Sequence, residues 1–487
     1  MRPRPLIGFV AALCAGAVVA AACGSTPIDV SVPDLDDATP EAAETDEPAP
    51  TPTPRPEPTP TPEPVGRADI PEDTEFEQGP RLAVQTADGQ LVTMLGDGSN
   101  AIPLTDPDEG RFNHSPRWSD DGNRVAWVAA EPPGGAVSLR SSRFDGSAWG
   151  DVALRDEPFH LEWDVSGSQV ATLSSIPGGR LELGVIDIDG DLGYRPIDQG
   201  APYWFAWNTD ADGFLVNANG LRLDLVPIDG PSQVLEQNPG RFQAPSWLND
   251  PTQLIYADRQ DGQEFLVVAG AEGSGRRALI SYDGYLQFSA SAESGLLALH
   301  VIDPSLAPIP DVITASFQPG PEIVDAIDPI PRNQLTIMAL FGGDPFVLYP
   351  PPGDFPSFPV RAFWWSSDGQ LAWILETDPG DRDCASETAR WRLQFWTGTD
   401  FVDGPTFVPT ATFACDYVPG FDQLDQSVSF WSPDGTLFTY AGIDPLTGER
   451  GIWNHQVGTF LDPALVAEGE IAVWSPQNAG SAAASAL

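Results

Sequence analysis

Residues 427–442 read SVSFWSPDGTLFTYAG. Two short apolar runs flank the four residues Ser432-Pro433-Asp434-Gly435. In the first run Val428 and Phe430 fall on one face, and Ser427, Ser429 and Trp431 on the other. The second run, from Leu437 to Ala441, is rich in residues that favour strands. Pro presets φ and Gly takes the positive-φ position, so the stretch predicts a β-hairpin.

The same shape recurs. It is SPRWSDDGNRVAWV around Trp118, FHLEWDVSGSQVATL around Trp163 and YWFAWNTDADGFLV around Trp207. It is APSWLNDPTQLIYA around Trp247, AFWWSSDGQLAWIL around Trp365 and AVWSPQN around Trp474. Where nothing is inserted the copies lie roughly 40–45 residues apart, the blade period of a β-propeller. Each blade reads as four short strands. LQFSAS around Phe288 keeps the place of the motif without its Trp. Residues 322–341 beyond it read either as a further hairpin or as an insertion in one large blade. The expected fold is therefore all-β, a propeller of about eight four-stranded blades, with a range of seven to nine. The folded part begins near Arg81 with three strands that lack a Trp strand, and the orphan Trp strand is 471–474. The termini should close the ring in one shared blade, which removes the exposed sheet edge of an open array.

Composition narrows the function. The 487 residues carry a formal net charge of -46, and all 24 basic residues are arginine. That balance argues against nucleic acid as a partner and against a basic patch for anionic lipid. Residues 1–22 read as an export signal, with Arg2 and Arg4 ahead of an apolar run too short for a membrane span. Ala20-Ala21-Ala22-Cys23 resembles a bacterial lipobox, although the family pattern prefers Leu where Ala20 stands. The resemblance implies lipidation of Cys23 and an extracytoplasmic location on the bacterial cell membrane. The other reading is a secreted protein cut nearby, with Cys23 left as a thiol. Residues 23–78 read as a disordered Pro/Thr/Asp/Glu-rich linker, residues 79–477 as the propeller and residues 478–487 as a flexible tail. Alternating proline favours an extended stalk reaching roughly 150 Å. Cys384 and Cys415 remain as an even pair for an oxidising compartment, either as a disulfide or as two buried thiols.

The motifs WSDDG, WSSDG and WSPDG, each followed by an apolar strand, resemble the WD40-like repeats of the TolB-type β-propeller family over residues 81–477. The resemblance is specific for fold and poor for function. TolB carries an additional N-terminal α/β domain where this chain has only a linker, so its partners are not implied. Other members carry serine peptidase domains, and no Gly-x-Ser-x-Gly elbow occurs here.

The anchor tryptophans and Asp-Gly pairs read as structural parts, an inter-blade contact and a turn. Variation falls just upstream of each Trp, on Phe112, His114, Phe159, His160, Tyr203, Trp204, Arg241, Phe242, Tyr285 and Arg361. These residues are expected either to rim one end of the channel as a binding funnel or to pack between blades. Asn208–Gly213 resembles the start of a calcium loop, but Val216 and Asn219 stand where acidic ligands would be needed, and a lengthened hairpin is the other reading. No histidine spacing fits a metal motif, and no cofactor is expected. Two functions follow: a non-catalytic binding or scaffolding module for a protein, peptide or glycan of the cell envelope, or a hydrolase or lactonase with a carboxylate or metal site in the channel.

Overall fold

A computed structural model describes residues 77–190, 193–248, 252–291, 294–303, 329–351, 357–381 and 383–477. The residues read as an export signal and a tail, Cys23, and nearly all of those read as a linker lie outside the described residues.

The described residues form eight blades in seven sheets, because the last two blades are fused. Blade I joins Ile471–Trp474 to Arg81–Gln85, then Leu91–Leu95 and Ile102–Pro103. Leu82 pairs with Trp474 and Gln85 with Ile471, so the two ends of the propeller share one sheet. Blades II, III and IV begin with Phe112–Trp118, Pro158–Trp163 and Tyr203–Trp207, and each adds three antiparallel strands outward. Blade V starts at Ser246–Trp247 and carries an additional parallel strand, Pro329–Ile330, on its outer edge. Blade VI uses Tyr285–Ser291, Leu296–Ile302, Leu335–Ala339 and Phe346–Tyr349. In the ambiguous stretch before Trp365, Pro329–Ile330 joins blade V and Leu335–Ala339 is the third strand of blade VI, so its described residues add no further blade. Blade VII runs from Val360–Trp365 to Phe401–Pro409.

Blade VIII contains the opening stretch. Its inner segment touches the next strand through a single bridge, Trp431 to Phe438, and touches blade I through Ser429 and Trp474. The turn has the chemistry its sequence implies. Asp434 accepts from the Ser432 hydroxyl at 2.6 Å and from the Thr436 N–H at 3.1 Å, and Gly435 has φ of +68°. A Cβ on Gly435 would also press on Asp368 of the neighbouring turn.

The recurring Trp follows a rule that links neighbouring blades. The Trp163 indole N–H donates to the carbonyl of Arg117, the residue before Trp118 (3.0 Å). Trp207 donates to Glu162 (3.2 Å), Trp431 to Trp364 (3.1 Å) and Trp118 to Val473 (3.0 Å). Trp365 donates to Ser289 (3.1 Å), which identifies Ala290 as the residue standing in place of the Trp in blade VI. Each indole therefore buries apolar surface and satisfies its one polar atom on the blade before it. The series breaks around blade V. The buried Trp247 indole nitrogen has no hydrogen-bond partner, and blade VI offers only a methyl at Ala290.

Candidate functional site

The inner strands begin at one end of the channel, here called upper, and finish at the lower end with the Trp and its turn. A ring of eight inner strands leaves a central space that side chains alone do not fill. Here the chain fills it. Between Phe401–Pro409 and the inner segment of blade VIII, residues 410–427 leave the sheet and enter the channel as a short π-helix, Phe413–Tyr417, and one turn of α-helix, Phe421–Leu424. Phe413, Tyr417, Phe421 and Leu424 are buried. Phe421 packs edge-on against Phe363, with ring centroids 4.5 Å apart. At the upper end the Cys415 and Cys384 sulfurs lie within bonding distance, with Cα atoms 5.2 Å apart, so the insert meets the second loop of blade VII there.

Polar contacts seat this plug against blades far away in sequence. The Gln423 side chain accepts from the Phe205 N–H at 2.9 Å and donates to the Phe205 carbonyl at 2.8 Å, as a neighbouring strand would. Arg117 donates to the Tyr417 hydroxyl at 2.9 Å and lies over its ring. Ser289 donates to the Asp425 carboxyl. The Gln243 amide, oriented so that both of its ends are satisfied, donates from its nitrogen to the two Asp422 carboxyl oxygens.

Below the plug lies a cavity of about 520 Å³. Asp422, Asp425 and Gln426 close its upper side. Its walls come from blades II to VI, including Asp120, Glu162, Asn208, Ser246, Ser289 and the rings of Trp163, Trp207, Trp247 and Phe288. The cavity lies on the side of the ring where the indole series breaks, and Ala290 lines it. No Arg or His lines it.

Four carboxyls around this space are pushed above the ordinary carboxylate range. Burial raises Asp422 to about 8, with the neighbouring Asp425 adding and backbone N–H donors partly opposing. Burial raises Asp425 to about 7. Burial pushes Glu162 well up, opposed by the Trp207 N–H and supported by Asp120. Asp120 is pushed to about 6 by enclosure in the cleft and then by Asp164 and Asp121, although much of its own surface faces the cavity. His160, 3.4 Å from Glu162, is driven well below its ordinary value by burial and by Arg117. Burial thus disfavours a charge on either member of the pair.

The ten residues upstream of the tryptophans do not come together. His160 meets the plug through Gln423 at 3.5 Å, and His114 and Tyr285 lie near enough to feel its Asp416 and Asp422. Arg241 pairs with Glu264 at 3.0 Å, Arg361 with Glu376 at 2.6 Å and His114 with Glu157 at 3.0 Å. Tyr203 donates to Asp198 at 3.1 Å, and Phe242 stacks on Phe288. Tyr285 is buried, Phe112 and Trp204 are half-buried, and Phe159 is 50% exposed. None of the ten lines the cavity. In Asn208–Gly213 the Asn208 side chain accepts from the Asp212 N–H at 3.0 Å and closes the turn itself. Among the described residues no group of three or more His, Cys, Asp or Glu is arranged to hold a metal ion.

No family model matches the chain. No curated protein matches it in sequence. Solved structures do resemble it. The β-propeller domain of the Trilobed protease from Pyrococcus furiosus is 12% identical, over 74% of this chain and 99% of that one, with a TM-score of 0.40. A putative TolB from Agrobacterium tumefaciens is 13% identical, over 56% and 90%, with a TM-score of 0.32. A prolyl endopeptidase is 12% identical, over 75% of this chain and 50% of that one, with a TM-score of 0.47. Such likeness goes no further than the propeller fold, which the sheets themselves establish, and says nothing of activity.

Proposed function

We propose that this chain is a lipid-anchored, extracytoplasmic β-propeller that works as a non-catalytic binding or scaffolding module. One observation carries the reading. The channel is stoppered by the chain's own residues 410–427, and the polar groups that meet there, His160, Glu162, Asp422, Gln423 and Asp425, are engaged in holding the stopper. What is left to a partner is the lower cavity, walled by indole, hydroxyl, amide and carboxyl groups. With no basic group in the lining and a chain charge of -46, the partner is a neutral or positively charged part of a peptide, protein or glycan. Lipidation of Cys23, the extended linker and a Cys384–Cys415 disulfide belong to this proposal, and the last is supported by the 5.2 Å Cα separation.

The test compares the anchored wild type with Ala290→Trp, which fills the cavity from the position where other blades already hold Trp. Capture of a saturable partner from native envelopes, or on glycan arrays, should be lost in the variant. Equal capture by both proteins would remove the cavity from the reading. Cys23→Ser should move the protein from the membrane fraction to the soluble one.

A hydrolase reading has one observation in its favour. Asp120 faces the cavity with its carboxyl pushed to about 6, in the range of a general acid. Turnover of peptide or glycoside substrates abolished by Asp120→Asn would establish it.

A further inference from the structure

We propose that the lower cavity is a receptor site for an organic ammonium group, carried by a lysine side chain of a polypeptide or by a small free amine. This narrows the binding role proposed above and rests on it.

Charge sets the sign of the ligand. Asp120, Glu162, Asp422 and Asp425 all line the space, and no Arg or His does. Asp120 and Asp425 are the accessible pair. Asp120 stands at an exposed position, and among the described residues no donor or cation holds its carboxyl. The charges it feels are Asp164 and Asp121. Asp425 is half-buried, and its carboxyl takes a hydrogen bond from the Ser289 hydroxyl. Glu162 and Asp422 lie deeper, each 5% exposed, and accept from the Gln423 and Gln243 amides. Arg117 acts on Glu162 from behind the lining, but its N–H groups go to the Pro116 carbonyl and the Tyr417 hydroxyl, at 2.8 and 2.9 Å. The open carboxyl of Asp120 therefore has acids around it and no countercharge. A cation in the space relieves that repulsion and favours the ionised form of each carboxyl, against the burial that raises them.

Shape sets the kind of cation. A bare metal ion needs several ligands converging on one point, and among the described residues no three such groups do. The cavity of about 520 Å³ is instead of a size that holds a small molecule or a side chain, about 300–1,000 Å³. Three indoles wall it, those of Trp163, Trp207 and Trp247. Indole attracts a cation to its ring more strongly than any other side chain, and the alkyl stem of an ammonium packs on the same surface. An ammonium carries donors alone, which suits walls rich in carboxyl oxygens. Trp163 and Trp207 are fixed by their bonds to the blade before, whereas the Trp247 nitrogen has no partner, so packing alone holds that ring.

The mouth is on the lower side. Asp120, Val165 and Thr209 line the cavity and are exposed, Val165 by 56%, while Asp422 and Asp425 close the far end under the plug. A ligand entering there passes Asp120 first. The chain contains no lysine, so no side-chain ammonium of its own or of a second copy competes for the site.

Calorimetric titration of the full chain tests this at about pH 8 and about 0.15 M salt, where an alkylamine keeps its charge, Asp120 has lost its proton and long-range attraction is screened. N-acetyl-lysine methylamide stands for a polypeptide, pentylamine for a free amine, and N-acetyl-norleucine methylamide for the same shape without charge. At least one ammonium probe should bind once per chain and about tenfold or more tighter than the norleucine probe, the effect of one hydrogen bond to a charged group. Tighter binding of the lysine probe assigns a polypeptide, and tighter binding of pentylamine a free amine. Asp120→Asn removes a carboxyl that holds nothing in place, so it should fold as wild type and weaken the ammonium about tenfold. Trp247→Leu should weaken it about threefold or more. Ala290→Trp should abolish it. An ammonium bound no tighter than the norleucine probe, or bound equally by wild type, Asp120→Asn and Ala290→Trp, would overturn the proposal. If Trp247→Leu fails to fold, Asp120→Asn still decides. Envelope partners lost in Ala290→Trp while the ammonium probes fail would refute the charge of the ligand and leave the binding role standing; equal capture by both proteins refutes that role instead.

Discussion

Ala290→Trp also tests the rule by which the blades are joined. In blades II, III, IV, VII and VIII a Trp at this position donates to the carbonyl preceding the corresponding residue of the blade before it. Blade VI lacks that link, and a cavity of about 520 Å³ lies beside the gap. An indole has roughly 150–250 Å² of surface, and burying about half of it at ~25 cal/mol per Å² gives about 2–3 kcal/mol. A hydrogen bond to the Ser246 carbonyl would add about 1 kcal/mol, and ordering the side chain costs about 1 kcal/mol. The expected net gain is about 2 kcal/mol, because the space already exists and overpacking does not apply. Urea denaturation followed at more than one wavelength is the assay, with the midpoint moving upward at unchanged slope. A loss of more than about 1 kcal/mol would refute the reasoning, because it would mean the site is closed to an indole for reasons other than its missing ring.

Three further outcomes follow from the same contacts. Trp163→Phe keeps most of the packing but leaves the Arg117 carbonyl without its donor, so it should cost about 1–3 kcal/mol, and Trp163→Ala about 3–5 kcal/mol, in the same denaturation assay. Cys384→Ser with Cys415→Ser should cost about 3–4 kcal/mol for a closed loop spanning a separation of 31 residues, and the wild type should show no free thiol at these positions by mass spectrometry. Asp422→Asn should change the pH dependence of stability. A carboxyl raised from 3.8 to about 8 in the folded state keeps its proton there while the unfolded chain gives its proton up, so stability falls as pH rises from about 4 to 8. The variant should flatten that fall, melting above wild type at pH 7 and level with it at pH 3, read from melts across pH.

The blades were legible because their unit is local. Trp431, Asp434 and Gly435 carry a turn and an anchor within five residues, and copies of that unit mark most blades whatever surrounds them. Even the exception was visible, since LQFSAS kept the place of the motif and Ala290 turned out to hold the position of the Trp. The stopper was not legible. Its contacts join residues hundreds of positions apart, Gln423 to Phe205 and Tyr417 to Arg117, and no period announces them. The available signal was a discrepancy of length: residues 410–427 lengthen the step from Trp365 to Trp431 and show no strand alternation. The upstream aromatic and basic residues left two readings open for a physical reason. A large side chain beside an inner strand is as well satisfied by an ion pair within its own blade, as Arg241 with Glu264, as by a ligand.

The pairing of Ile471–Trp474 with Arg81–Gln85 sets an order on biosynthesis. Blades II, III, IV and VII can each complete as they emerge, because their strands are consecutive in the chain, whereas the outer edge of blade V waits for Pro329–Ile330. Arg81–Gln85 is made first yet waits nearly the whole length of translation for its inner neighbour. Until then one edge of that strand is open to any passing polypeptide, and the ring has no closing contact between Trp118 and Val473. The newborn chain is thus most vulnerable at its oldest strand, and the last few residues of the domain end that exposure in a single step.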